Sequence, residues 1–262
     1  MGDINYSPLI EDMTFSYSRI NSYKSCPYAW FLNYIDKMKK RDLFYSSYGN
    51  LMHDIIAKYY KGEITKSEMP VEFLTRFSTD VKGVRPSASI VEKYVDSSLE
   101  YLRNFEEFGL NTVAVEEKVN FQIDGIPMIG FIDYIGEKDG DYIIVDHKSH
   151  SLKPRSGRKK PTVKDKELDE YLRQLYLYST AVKDRYGKFP KELWFNCYRS
   201  GIVIKEPFDE EKYNEAVEWA TSTIEEIKGD ADFYDNYDYF YCRWICDQAL
   251  NCEVFWEEVM GE

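Results

Sequence analysis

Residues 112–149 spell out three strands joined by two tight turns, and the rest of the chain has to be arranged around them. The segment "TVAVEEKVNFQI" alternates apolar and polar residues, and "DG" at Asp124 and Gly125 is a strong hairpin signal. "IPMIGFIDYIG" then returns, and a second tight turn at "KDGD" leads into "YIIVDHKS". Strands linked this closely pair antiparallel, because a parallel neighbour requires a crossover of a dozen residues or more. The expected nucleus is an antiparallel meander.

The flanks read differently. Ser18 is placed to cap a helix through "RINSYKSCPYAWFLNYIDKM", which Pro27 must kink or interrupt. Further helices fit "SYGNLMHDIIAKYYKG", closed by Gly62, and "ASIVEKYVDSSLEYLRNFEEF", followed by Gly109. Beyond the meander come a helix, "KELDEYLRQLYLYSTAVKDRYG", strands in "ELWFNCYRS" and "IVIKEPF", and a helix opening on acidic residues, "DEEKYNEAVEWATSTIEEIKG". The expected fold class is α/β, a mixed sheet flanked by helices. With no repeats and no Pro/Gly/Ser linker, residues 1–262 read as one domain. It comprises a helical part over 1–110, a core over 111–230 and a cysteine-rich tail over 231–262.

Composition limits what such a domain can do. At 44% hydrophobic and 31% charged residues the chain has apolar material for a core. It lacks an apolar run of membrane-spanning length, and "MGDINYSPLIEDM" has neither the basic nor the apolar region of a signal peptide, so a cytoplasmic location is expected. The net charge of -12 argues against non-specific coating of nucleic acid or anionic membrane. One stretch departs from that average. Between Lys148 and Lys166 eight basic residues face only Asp165. Lys153, Arg155, Arg158, Lys159 and Lys160 of this loop are the expected nucleic-acid contacts.

The chemistry is expected where the meander ends. In "IIVDHKS" an aliphatic run leads straight into charges, and desolvating them is costly unless they are paired. Asp146 and Lys148, two apart on a strand, share a face. Asp133, on the neighbouring strand, comes beside Asp146 if the Lys138–Asp141 turn closes in near register. Two carboxylates in a partly dry site repel unless a divalent cation lies between them, and hard oxygen ligands select magnesium or manganese over zinc. Lys148 then stands next to the scissile phosphate, where it can position or help deprotonate water and stabilise developing charge.

"GFID", "IIVDHKS" and "RQLYLYSTA" together resemble the PD-(D/E)XK nuclease superfamily, in particular the RecB-like branch with its G-x-x-D, D-x-K and Q-L-x-x-Y motifs. "GNLMHDII" resembles that branch's helical G-x-x-x-H motif. The resemblance implies a restriction-endonuclease-like core. It makes His53, Asp133 and Asp146 metal ligands, with the backbone carbonyl of His147 a fourth contributor, and Lys148 the catalytic lysine. Gln174 and Tyr178, four apart on one helix, face the same way, towards substrate or metal. Glu116, ahead of Glu117 in "VAVEEKV", matches a carboxylate that often precedes the G-x-x-D strand. His147 stands where tyrosine is common in the family.

Five cysteines remain. Cys197 lies in an expected strand and reads as a small buried hydrophobe. Cys242, Cys246 and Cys252 form C-x3-C-x5-C, and Cys26 opens a distant "CP" segment. Four thiolates suit zinc or an iron-sulfur cluster. The resemblance implies a 4Fe-4S cluster, as in AddB-type nuclease domains and CRISPR-adaptation exonucleases, although those have two residues, not three, within the first pair of the trio. Such a cluster would staple the amino-terminal helix to the tail and play no part in cleavage.

The expected function is therefore a Mg2+- or Mn2+-dependent DNA exonuclease acting on single-stranded or frayed ends, leaving a 5'-phosphate and a 3'-hydroxyl. The phosphate-binding G-x-x-x-x-G-K-[ST] motif of a helicase is not in the sequence, so unwinding falls to a helicase, CRISPR-adaptation or recombination partner. Two alternatives are a non-catalytic subunit that grips DNA ends and a zinc-stabilised interaction module with an incidental D-x-K.

Overall fold

The computed structural model describes residues 6–260. Residues 1–5 and 261–262, the outer ends of the expected helical part and tail, lie outside the described residues. The elements run α1 (Ser7–Glu11), α2 (Tyr17–Ser25), α3 (Pro27–Tyr34), α4 (Phe44–Tyr60), α5 (Met69–Asp80), α6 (Ala88–Arg103), β1 (Asn111–Ile123), β2 (Ile126–Lys138), β3 (Asp141–His147), α7 (Val163–Tyr186), β4 (Glu192–Cys197), β5 (Ile202–Pro207), α8 (Glu210–Gly229), α9 (Tyr239–Trp244) and α10 (Glu253–Met260). The strands form one sheet in chain order. Every neighbouring pair is antiparallel except β3 and β4, which are parallel and joined through α7.

The two tight turns set the register. Asp124 and Gly125 both take positive φ, as do Asp139 and Gly140, the backbone that matches the twist of a two-residue hairpin. Ile123 thus faces Ile126 and Lys138 faces Asp141. From Ile132 to Gly136 strand β2 is buried at every position, because both of its faces are covered there. On one face, Ile135 and Ile144 join a core with Leu168, Leu172 and Leu175 of α7 and Ile224 of α8. On the other, Tyr134, Val145 and Trp194 meet Tyr60 of α4 and Phe108. Each fully buried leucine or isoleucine adds roughly 1.5–3 kcal/mol, so this double cover holds the ends of β2 and β3 firmly.

The helical region differs from expectation in detail. The helix expected from Ser18 onwards is two: Ser16 caps α2 by accepting from the Arg19 N–H, and the chain is extended at Cys26 before Pro27 starts α3. Pro27 has no N–H to continue α2 but suits the first turn of a new helix. Helix α5 was not expected, since only Met69 and Phe73 of its twelve residues are buried. Among the described residues no helix is long and apolar enough to cross a membrane.

Candidate active site

The ends of β2 and β3 meet α4 and α7 at one place. His53 of α4 turns Nδ1 to Asp133 Oδ1 at 3.4 Å, while its Nε2 lies 2.9 Å from the carbonyl oxygen of His147. The second Asp133 oxygen accepts from the His147 N–H at 2.7 Å. Glu116 completes the group: one ligand atom each from His53, Glu116 and Asp133 lies within 4.8 Å of the others. Glu116 takes φ +52°, a conformation that residues other than glycine seldom adopt, and β1–β2 pairing passes from Val115↔Tyr134 to Glu117↔Ile132 around it. Local departures of this kind re-aim a strand side chain beside a site. Its neighbour Glu117 instead pairs with Arg185 on the surface.

Asp146 lies beside this trio rather than within it. Its Oδ2 is 2.8 Å from Lys148 Nζ, the nearest cation, which draws the carboxylate to its own side. The ammonium also donates to Gln174 Oε1 at 2.9 Å, and Gln174 Nε2 in turn donates to the Tyr178 hydroxyl at 3.3 Å. The four-residue spacing on α7 thus builds a relay that orients the lysine. Gly130 makes room for it: a Cβ there would lie 2.4 Å from Tyr178 Cε1. The first residue of "GFID" and the last of "QLYLY" are one steric unit.

The electrostatics follow from burial and neighbours. Burial pushes the Asp133 carboxyl up, but the charge and hydrogen bond of His53 and the His147 N–H outweigh it and hold the group well below the usual carboxylate range. Burial would lower His53, yet Asp133 raises it to about 9. Asp146 is raised by burial, against the pull of Lys148 and with the push of Asp133. Lys148 reaches about 12, since Asp146 overcomes its burial. Burial and then Asp133 raise Glu116 as well. Glu116 Oε1 is buried without a hydrogen bond, and Asp146 Oδ2 is buried with the Lys148 ammonium as its one partner. Carboxylates forced upward by burial and by the charge of neighbouring Asp133 are what a divalent cation relieves, and this donor set of carboxylates with one imidazole suits a hard ion.

His147 meets His53 and Asp133 through its backbone carbonyl and N–H. Its ring packs edge-on to that of His53 with centroids 5.4 Å apart, is stacked on Phe108 and is held through Nδ1 by the Asn196 amide at 3.1 Å, with burial lowering its pKa to about 3. Asn196, which also donates to the Tyr101 hydroxyl, was not singled out from sequence, although an amide inside the apolar "LWFNC" strand is its signal.

The basic loop divides in two. Arg155 is held by Asp169 and Glu206, so its charge is taken up inside the fold. Lys153, Arg158, Lys159 and Lys160 are exposed. Asp165, the loop's lone acid, anchors it by accepting from the N–H and hydroxyl of both Ser156 and Thr162.

The cysteines gather away from this site. Cys26, Cys242, Cys246 and Cys252 line one pocket with Tyr28, Tyr241 and Phe255, and Cys197 is buried in the main core. Cys26 caps α3, its sulfur accepting from the Ala29 N–H. Burial raises Cys242 and Cys252 and takes Cys246 to about 12, so each of these thiolates needs a cation to be stable here. Among the described residues, no three of the sulfurs lie within 4.8 Å of one another. A zinc tetrahedron would bring them to about 3.8 Å.

A parallel β3–β4 step crossed by α7, with acids and a lysine at the strand ends, defines a nuclease-type α/β core. The sequence matches the family model of the PD-(D/E)XK nuclease superfamily over residues 14–253, most of its length, and the chain belongs to that superfamily. It is similar to the "Gene 69 protein" of Mycobacterium phage D29, 25% identical over 276 residues that cover 92% of this chain and 96% of that protein. Its fold is similar to that of a solved structure from Eubacterium rectale, described as a "Putative exonuclease". That match has a TM-score of 0.54 at 12% identity, covering 96% of this chain and 92% of the other. Superfamily membership makes the chain a nuclease of a class that uses divalent metals and acts on nucleic acid.

Proposed function

We propose that this chain is a Mg2+- or Mn2+-dependent DNA exonuclease of the RecB-like branch, acting on single-stranded or frayed ends. The observation that carries this reading is the lysine clamped between Asp146 and Gln174 beside the converging His53, Glu116 and Asp133. His53, Glu116, Asp133, Asp146 and the His147 carbonyl would hold the ion. When bound, the ion neutralises phosphate charge and makes water more acidic. Lys148, kept protonated by Asp146, faces the non-bridging phosphate oxygens and positions water for in-line attack. Gln174 and Tyr178 keep its ammonium aimed, and Lys153, Arg158, Lys159 and Lys160 track the backbone by charge. In this reading the chain is a single cytoplasmic domain that leaves unwinding to a helicase, CRISPR-adaptation or recombination partner.

The four cysteines are read as ligands of a 4Fe-4S cluster that staples α3 to the tail. What supports this reading is that the four cysteines line one pocket, with Cys242, Cys246 and Cys252 raised by burial, so that thiolates there need a cation. The experiment for the nuclease reading is degradation of end-labelled single strands, duplexes and circles with magnesium or manganese, comparing wild type with Asp146→Ala. Wild type should shorten single strands from an end and Asp146→Ala should lose at least about 100-fold. Equal cutting by both would remove the assigned centre.

A further inference from the structure

Arg199 stands just beyond β4, on the loop that leads into β5. It lies where the parallel strands β3 and β4 end, the side of an α/β sheet on which ligands collect. Its guanidinium lies 3.7 Å from the centre of the Tyr94 ring, and Nη1 reaches the carbonyl of Ser149, the residue after Lys148, at 3.4 Å. Its Nε is buried with no acceptor. Among the described residues no carboxylate lies within 4.0 Å of it, in contrast to Arg155, Arg76 and Arg185, which all have acidic partners. A guanidinium offers five donors, and its bonds to the Ser149 carbonyl and to the Tyr94 side chain leave several of them unused.

The position is built rather than incidental. Tyr94 packs edge-on to Tyr48 at 4.7 Å, Tyr48 reaches Tyr198 at 6.1 Å, and Tyr198 lies 6.4 Å from the His53 ring. That file of rings fixes the guanidinium relative to the proposed ion site. Arg199 also lines a cleft of about 320 Å3 with Tyr101, Asn104, Phe108, Asn196 and Ser200. Glu100 and Glu106 border the same cleft without pairing with it.

We propose that Arg199 is a binding site for a backbone phosphate of the substrate strand, next to the one cleaved at Lys148. The inference rests on the nuclease reading. Planar guanidinium forks suit phosphate oxygens, and stacking on Tyr94 presets the plane at little entropic cost. The strand would pass along the sheet end, one phosphate at the ion and its neighbour at Arg199.

Fluorescence anisotropy with a labelled single-stranded oligonucleotide in EDTA, over a range of salt, tests this on the full chain. Arg199→Ala should weaken binding roughly 10- to 100-fold. It should also reduce the slope of log affinity against log salt by about 0.7, one phosphate contact. Arg199→Lys should keep the slope and bind at an intermediate level, and with magnesium Arg199→Ala should raise KM more than it lowers kcat. If Arg199→Ala does not fold, Arg199→Gln is read by the same slope criterion. Wild-type affinity and slope in the folded neutral variant, with wild type binding and cutting DNA, would overturn the assignment while leaving the nuclease reading intact. Failure of wild type itself to bind and cut would remove both.

Discussion

Gly130→Ala is a one-methyl test of how the lysine is aimed. The added carbon would sit 2.4 Å from Tyr178 Cε1 and 3.0 Å from Cδ1 and Cζ, so the ring must retreat by about 1 Å to reach ordinary contact. Tyr178 has little space to retreat into, being 5% exposed and edge-on to Phe121. Overpacking of this kind costs about 1–3 kcal/mol. At roughly 2–4 °C per kcal/mol for a chain of this size, the melting temperature should fall by about 2–12 °C. The ring carries its hydroxyl with it, Gln174 loses its support, and the Lys148 ammonium shifts. Misplacement by about 1 Å can cost on the order of 100-fold in rate, so degradation of end-labelled DNA should slow by about that factor. Tyr178→Leu removes the obstacle, and in that background the further effect of Gly130→Ala on stability should largely disappear. A Gly130→Ala protein that melts and cuts like wild type, or two substitutions whose stability effects simply add, would show that the glycine does not serve the tyrosine.

Two further outcomes are expected. Cys246→Ser should abolish the broad visible absorbance of anaerobically purified protein and lower its melting temperature, whereas a colourless wild type holding zinc would refute the iron-sulfur assignment. Asp165→Asn should speed tryptic cleavage after Arg158 and Lys159, because the loop loses its anchor. Hydrogen bonds from Ser156 and then Thr162 depress the Asp165 pKa. The wild-type anchor is therefore whole at any pH above the usual carboxylate range and is lost only as pH falls below it.

Much of the architecture was readable because its cues are local. Asp124–Gly125 and Asp139–Gly140 each dictate a turn, and two turns dictate a meander and its register, which sets Asp133 and Asp146 on neighbouring strands. Gln174 and Tyr178 share a helix face by spacing alone, though their shared object, the Lys148 ammonium, required the fold. What stayed hidden depends on distant partners or on backbone detail. The preference for Glu116 over Glu117 came from the resemblance, but the alternation of "VAVEEKV" cannot reveal that Glu116 takes positive φ, so how it reaches His53 and Asp133 emerges only in three dimensions. Arg155 looked like a free charge because Glu206, one of its two partners, is 51 residues away. The break at Cys26 was visible as a proline, but its use as the cap of a separate helix was not.

The tail is gripped from the amino-terminal side by more than its cysteines. Arg41 donates to the carbonyl oxygens of Cys242, Arg243 and Cys246, Asn33 bonds Asp247 and Gln248, and Asn251 reaches the Lys39 carbonyl. A nascent chain therefore carries Arg41 and Asn33 out of the ribosome long before their partners exist. The first helices can pack against the main core before residues 242–251 emerge, but this second grip closes only afterwards.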